Sequence, residues 1–457
     1  MMVLAGGKGQ RLVPLTAHRA KPAVPFAGRY RIIDFVLSNL VNAGYRNIYV
    51  LTQFMATSLI KHLNRNWHLS GFGQFIEVTP AQMRSGERWY QGTADSVWQN
   101  RNLLADHGGA DVGVFAGDHI YKMDVGQMER FHRERDADLT IAAYPVPLDT
   151  ARHQFGVFEV DDRFELVSFQ EKPAEPAPMP GDPSMCLASM GNYFFKTDTL
   201  LDALETNAQD PVSRHDFGRD VIPRLIEGGA RVAIYDFATN TITGEPEGQE
   251  PYWRDVGTLD AYFDANQDLR APVPSLNLYN FRWRIRTAQR NYPPARFVRG
   301  GDIVDSMVCE GTIVHASTLK NVITGYDCFI HENAEVEDSV ILSGCDIGAG
   351  SRLKAVLMDK NCRIEPGAVI GEDPDADRER FPFITAAGRV VLPKGTHVPR
   401  KGPIRLAADM HELMQLDTVA ASQMQKFAEL VQVAPRDRHS HMSVGPRFRK
   451  FGATAVD

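Results

Sequence analysis

Cysteine is scarce in this chain: five in 457 residues and no Cys-x-x-Cys, a count that argues against a disulfide framework. No apolar run approaches the length of a membrane span and no signal peptide precedes the first apolar segment. A soluble cytoplasmic protein with no membrane partner is therefore expected. Basic residues are not in excess either: the net charge of −7 leaves no nucleic-acid footprint, although local basic clefts for phosphates remain compatible with it. The glycine-rich start fits neither Gly-x-Gly-x-x-Gly nor a Walker A loop, because no Gly-Lys-Ser/Thr ends it. What remains is ordinary globular material, long enough for two domains, or one large domain and an appendage.

The first twenty-two residues carry the strongest signal. An apolar start (Val3, Leu4, Ala5) runs into Gly6-Gly7-Lys8-Gly9-Gln10-Arg11-Leu12 and closes on Arg19-Ala20-Lys21-Pro22. Glycines at 6, 7 and 9 remove the Cβ atoms that keep a backbone away from a ligand, so successive N–H groups can converge on anionic oxygens. Arg11 and Lys21 add fixed positive charge. The bland alternative is a tight turn and nothing more. Ile33, Val36, Leu37, Leu40 and Val41 then mark a helix stopped at Gly44, and Ile48–Thr52 is the next strand, which makes a βαβ unit. From there to about Asp268 strand-like and helix-like segments alternate, predicting an α/β fold with a mostly parallel sheet whose ligands lie past the carboxyl ends of the strands.

Several polar residues fall at those ends. Gln53 follows the second strand, and Trp89-Tyr90-Gln91-Gly92-Thr93 opens a helix predicted to run through Leu104 with Thr93 as N-cap. Asp111–Ala116 reads as a strand that exits at Gly117-Asp118-His119. Asp255, in Trp253-Arg254-Asp255-Val256-Gly257-Thr258, is a second acid of this kind. Two aspartates suffice for Mg²⁺ when phosphates supply the other ligands, while a lone aspartate there would serve as a helix cap. In the middle segment a strand begins at Phe155-Gly156-Val157, and another runs from Phe164 to Phe169 before Gln170-Glu171-Lys172-Pro173. Lys172 is a compact cation suited to a phosphate, Glu171 an acceptor suited to sugar hydroxyls and Ser189 a further polar contact; a surface Glu-Lys pair is the plainer reading. Asp216-Phe217-Gly218 starts a helix through Ile226 and has no kinase context around it. Gly244–Glu250 reads as an acidic, mobile loop.

After Asp268 the texture changes. Aliphatic residues recur at Ile330, Val336, Ile341, Ile347, Leu353, Met358, Ile364 and Ile370, with small residues often four positions on. This is a hexapeptide repeat, three short strands to a coil of parallel β-helix. Cys309, Cys328, Cys345 and Cys362 stand nineteen, seventeen and seventeen apart, about one coil, and read as small apolar residues stacked inside it rather than a metal site. Beyond Gly402 come a helix-like stretch to about Val433 and a basic tail. The expected domains are residues 1–270, a linker at 271–300, the β-helix at 301–400 and an extension at 401–457.

Taken together, Gly-Gly-x-Gly-x-Arg-Leu with Lys21-Pro22, Tyr90-x-Gly-Thr-Ala-Asp, Ala116-Gly-Asp-His-Ile-Tyr-Lys, Phe-x-Glu-Lys-Pro, Ser-Met-Gly, His-Asp-Phe-Gly and Tyr-Trp-Arg-Asp-Val-Gly-Thr resemble the glucose-1-phosphate adenylyltransferases over roughly Met1 to Gly395. The resemblance implies a Rossmann-like nucleotidyltransferase domain followed by a left-handed parallel β-helix, four chains to an assembly, and ADP-glucose made from ATP and glucose 1-phosphate for glycogen synthesis. It implies Arg11, Lys21 and Asp118 as catalytic residues, and Asp118 with Asp255 as ligands of Mg²⁺. Gly6, Gly7, Gln53, Tyr90, Gly92 and Thr93 would face the nucleotide, and Gly156, Glu171, Lys172, Ser189 and Asp216 the sugar phosphate. Members activated by fructose 1,6-bisphosphate can carry Lys at the position of His18 and His or Tyr near Pro25, and this chain has neither. Arg19 and Arg31 are then the candidates for a small phosphorylated or nucleotide effector. Three rivals stand beside this reading: a non-catalytic regulatory subunit, a pyrophosphorylase for another nucleotide or sugar, and an acyltransferase or scaffold working through the β-helix.

Overall fold

A computed structural model describes residues 1–457 except 70, 85, 162–165, 408–430 and 434–457. Its first half is built on a nine-stranded sheet in which Met2–Ala5 lies centrally, parallel to Asn47–Thr52 on one side and Asp111–Ala116 on the other. The βαβ reading holds, with the helix at Ile32–Asn42 and its buried face formed by Ile33, Val36, Leu37, Leu40 and Val41. The long strand Met185–Lys196 interrupts the parallel pairing, running antiparallel to Asp111–Ala116, Leu139–Pro147 and Gly156–Val160, and beyond it Val232–Asp236 again pairs parallel, with Leu139–Pro147. Trp253–Asp255 lies outside the sheet, in a two-stranded ribbon with His119–Tyr121.

Four sequence expectations are corrected here. The helix expected through Leu104 stops at Trp98 and resumes as a short turn of helix at Asn102–Ala105. Asn100 explains the break, since its side-chain amide donates to the Ser96 carbonyl at 2.7 Å, the acceptor its own backbone N–H would otherwise use. The N-cap is Gly92 rather than Thr93, whose hydroxyl donates to Asp216 and accepts from the Phe217 N–H, each at 3.0 Å. Val431–Val433, placed by sequence at the end of a helical stretch, is a strand parallel to Ile404–Leu406. The remainder of the expected extension helix and the basic tail lie outside the described residues, as does the expected strand start at Phe164. The acidic loop expected to be mobile is tied down at Glu245, which accepts from Lys122 at 2.8 Å and from Asn280 at 2.9 Å.

The repeat forms a parallel β-helix whose coils return every sixteen or seventeen residues, as in Leu319↔Val336, Val336↔Leu353 and Leu353↔Ile370. With the α/β half this gives the left-handed hexapeptide architecture that follows an α/β domain. Its corners need left-handed backbone, and Asp305, Asn321, Asp338 and Ala355 supply it at φ between 43° and 59°. Cys328, Cys345 and Cys362 are buried inside, with thiols directed to the carbonyls of Leu342, Asp359 and Pro393. Gly371 turns at φ 85°, where a Cβ would stand 1.8 Å from the Lys354 carbonyl oxygen. Gly371→Ala should therefore cost at least about 1–3 kcal/mol, read as a lowered urea midpoint. One continuous core joins the two halves: Leu12, Leu15, Phe26 and Phe263 pack with Val314, Leu319 and Val336.

Candidate active site

The loop leaving Met2–Ala5 folds back on itself because Gly9 adopts φ 64°, with Thr16 and Lys21 side chains 3.0 Å from where its Cβ would be, while the Thr16 hydroxyl donates to the Gly9 carbonyl at 2.9 Å. That closure brings Lys21 beneath the loop. Gly7 has open space around its absent Cβ, so its backbone is accessible from the cleft.

Lys21 is buried between two carboxylates, its Nζ 2.9 Å from Asp118 Oδ2 and 2.9 Å from Asp255 Oδ1. Burial disfavours the ammonium, but the two acids outweigh it and hold the Lys21 pKa above the usual lysine value. Burial likewise works against the Asp118 carboxylate, yet Lys21, and then His119, bring its pKa down to about 2. His119 Nε2 faces both acids, 3.6 Å from Asp118 and 3.8 Å from Asp255. Arg11 stays half exposed with Nη2 4.0 Å from Asp255 Oδ2, free to meet an anion from the cleft. Two carboxylates converging on one point suit a divalent cation completed by phosphate oxygens, and Lys21 supplies the counter-charge there in the isolated chain.

On one wall Gln53 clamps the Tyr90 backbone, accepting from its N–H at 2.7 Å and donating to its carbonyl at 3.2 Å. Gly92 is required by close approach: a Cβ there would lie 2.2 Å from the His215 carbonyl oxygen. On the other wall Lys172 pairs with Glu171 at 2.9 Å from a left-handed backbone, φ 53°. Glycines 156 and 218 leave room for Glu171, whose Oε2 would be 2.9 Å and 2.5 Å from their added Cβ atoms. Asp216 accepts from the N–H groups of Gly218 and Arg219 and so holds this turn.

Arg11, Lys21, Asp118 and Asp255, with every residue that sequence assigned to the nucleotide and sugar-phosphate walls, line one cleft of about 860 Å³. The same cleft exposes His119, Gly191, Tyr193 and Gly257, which the sequence reading did not assign. The available signals were the position of His119 directly after Asp118 and the places of Gly191 and Gly257 inside the Ser-Met-Gly and Asp-Val-Gly-Thr motifs.

A nucleotidyl transferase family model matches residues 1–271, and a GlmU-like C-terminal hexapeptide model matches residues 293–392. The glucose-1-phosphate adenylyltransferase of Corynebacterium jeikeium is 47% identical over 402 residues, covering 87% of this chain and 98% of the relative. The chain belongs to the glucose-1-phosphate adenylyltransferase family. Relatives of the same name include that of Thermus thermophilus, 48% identical over 405 residues and 86% of this chain, with 97% of the relative covered. One from Vibrio parahaemolyticus is 44% identical over 402 residues, 87% of this chain and 98% of the relative.

Arg19 and Arg31 lie away from this family's cleft. Arg19 is buried in a two-pronged pair with Asp359 of the β-helix, both N···O distances being 2.9 Å. Arg31 donates to the carbonyl and hydroxyl of Ser58, each at 2.9 Å, and burial lowers its pKa to about 10. Lys360, which sequence did not single out, joins them: burial first, then the charges of Arg19 and Arg31, bring its pKa down to about 7.

Proposed function

We propose that the chain transfers the adenylyl group of ATP to glucose 1-phosphate, giving ADP-glucose and pyrophosphate, the glucosyl donor step of glycogen synthesis. The observation that carries this reading is the convergence of Lys21, Asp118 and Asp255 beneath the glycine loop, in a chain of this family. A sugar-phosphate oxygen would attack the α-phosphorus in line and pyrophosphate would leave, with no protein nucleophile needed. The loop amides hold the phosphates, while Arg11 and Lys21 stabilise the charge that develops in the transition state. Asp118 and Asp255 would hold Mg²⁺, whose chemistry when bound is to neutralise phosphate charge. Glu171 and Ser189 offer acceptors to sugar hydroxyls, and Lys172 meets the sugar phosphate. Lys172→Ala should therefore raise the KM for glucose 1-phosphate well above any fall in kcat, which steady-state kinetics will read.

The deciding experiment follows pyrophosphate release from ATP and glucose 1-phosphate with Mg²⁺, for the wild type and Asp118→Ala, with UTP, GTP and dTTP as competing nucleotides. Turnover with ATP that Asp118→Ala abolishes supports the assignment; turnover with another nucleotide alone moves the chain to a sister activity, and silence with all four defeats it.

Arg31 and Lys360 support a regulatory site for a small phosphorylated or nucleotide effector, while the neighbouring Arg19, buried and already paired with Asp359, does not offer its guanidinium. An anion bound there favours the charged form of Lys360 and takes up a proton, so affinity should be highest below about pH 7 and decline above it. Sulfate does not titrate in this range; its half-saturating concentration in thermal-shift titrations should rise between pH 6 and 8 for the wild type and stay level for Lys360→Met. Assembly as a homotetramer is supported by the first coil of the β-helix, where Phe297, Ile303 and Val304 are exposed, and light scattering tests it. Among the described residues no helix is long and apolar enough to cross a membrane, and a cytoplasmic location is proposed.

A further inference from the structure

The pair formed by Lys21 and Asp255 is assembled from segments that the main sheet does not hold. Among the described residues Asp255 ends a three-residue strand whose partner is His119–Tyr121 alone, and Lys21 sits in a single turn of 3-10 helix, Lys21–Ala23. What fixes Asp255 from the other side is the helix Leu259–Asp268, joined to it by a stiff turn. Val256 is fully buried, Gly257 has no room for a Cβ, which would lie 2.7 Å from Asp255 Oδ2, and the Thr258 hydroxyl caps the Ala261 N–H at 3.2 Å.

The β-helix grips that helix by its acids. Asp260 Oδ1 accepts from the Thr385 hydroxyl at 2.6 Å and from Arg389 Nη1 at 2.9 Å, and Asp260 Oδ2 accepts from the Ala387 N–H at 3.2 Å. Arg389 Nη2 reaches Asp264 Oδ1 at 2.7 Å, and its guanidinium carbon lies 4.3 Å from the centre of the Phe263 ring. Arg389 and Asp260 are largely shielded, with side chains 20% and 25% exposed, so this is more than a surface ion pair.

The gripping residues come from a departure in the repeat. The strand Val356–Met358 stacks directly against Val390–Leu392, whereas the preceding strands find their partners sixteen or seventeen residues on. The added chain contains the helix Pro374–Arg380 and then residues 381–389. Continuity of the β-helix core does not require this excursion, because Met358 meets Leu392 without it. Its reach toward Asp260 does.

We propose that Asp260 and Arg389 are a positioning pair, through which the excursion at residues 371–389 keeps Asp255 seated on Lys21 in the geometry of adenylyl transfer. The inference rests on the activity proposed above. It is tested in the full-length chain with Arg389→Lys, Asp260→Asn, the double variant and Thr385→Val, measuring kcat, KM for both substrates and the thermal midpoint. Arg389→Lys and Asp260→Asn should each lower kcat about tenfold while leaving both KM values within about twofold, since misplacement acts on the transition state. The double variant should be little worse than either single one, because the two residues act through one contact. Thr385→Val keeps both charges and covers the case in which a charge variant does not fold; it should show a smaller kcat loss in the same direction. Variants that melt earlier but turn over at the wild-type kcat would make the contact a mere staple and overturn the proposal. A wild type that turns over normally separates that failure from failure of the activity itself, which a silent wild type would expose, taking the pair's role with it.

Discussion

Lys21→Gln is expected to lower kcat by about 10²- to 10³-fold, the loss seen when one preorganised donor is removed from a developing charge. Two effects act together here. The transition state loses a cation aimed at the transferring phosphoryl group, and Asp118 and Asp255 lose the ammonium buried between them, leaving only the more distant His119 and Arg11 against them. Because Lys21 is the largest influence holding the Asp118 carboxyl at about 2, the variant's Asp118 should titrate higher and the acid limb of its pH–rate profile should move up. In the wild type this pair contributes stability above the ordinary aspartate value of 3.8, and the contribution is lost as the pH falls toward about 2. A variant that kept kcat within threefold, with an unmoved acid limb, would show that Lys21 is a structural cation only.

Asp359→Ala should be the most damaging single change to stability, costing about 3–5 kcal/mol, because it strands a buried guanidinium. Arg19 is 4% exposed and Asp359 0%, so no water replaces the missing carboxylate. The loss also removes a nearby negative charge from Lys360, which already titrates near 7 beside Arg19 and Arg31. Replacing both partners by apolar residues, Arg19→Met with Asp359→Leu, should recover much of the loss, since an absent pair costs less than a broken one. Urea unfolding of the three proteins checks the ordering, and a single variant within 1 kcal/mol of the wild type would mean that Arg19 reaches water.

How much of this was legible in the sequence depended on the range of the cause. The glycine loop, the Ile32–Asn42 helix and the Asp111–Ala116 strand follow from local patterns and were read with their correct residues. So was the seventeen-residue coil, because each coil repeats the same steric demand. The end of the helix at Trp98 was hidden in one side-chain bond from Asn100, which periodicity does not register. Tyr193 and Gly191 enter the cleft because Met185–Lys196 lies antiparallel to Asp111–Ala116, a pairing between segments about eighty residues apart. Arg19 looked like a free cation, and its partner stands 340 residues later in sequence.

That separation has a consequence for biosynthesis. A ribosome adding about 5–20 residues per second releases Asp359 roughly 17–70 s after Arg19. Over that interval the nascent chain can pair Met2–Ala5 with its neighbours, but Leu12, Leu15 and Phe26 still lack the β-helix side chains that cover them. The phosphate loop is the first chemistry to emerge and among the last to be completed. A chain that stalls before residue 359 presents a glycine-rich loop above an unfinished core, a species for chaperones or proteases rather than a slow enzyme.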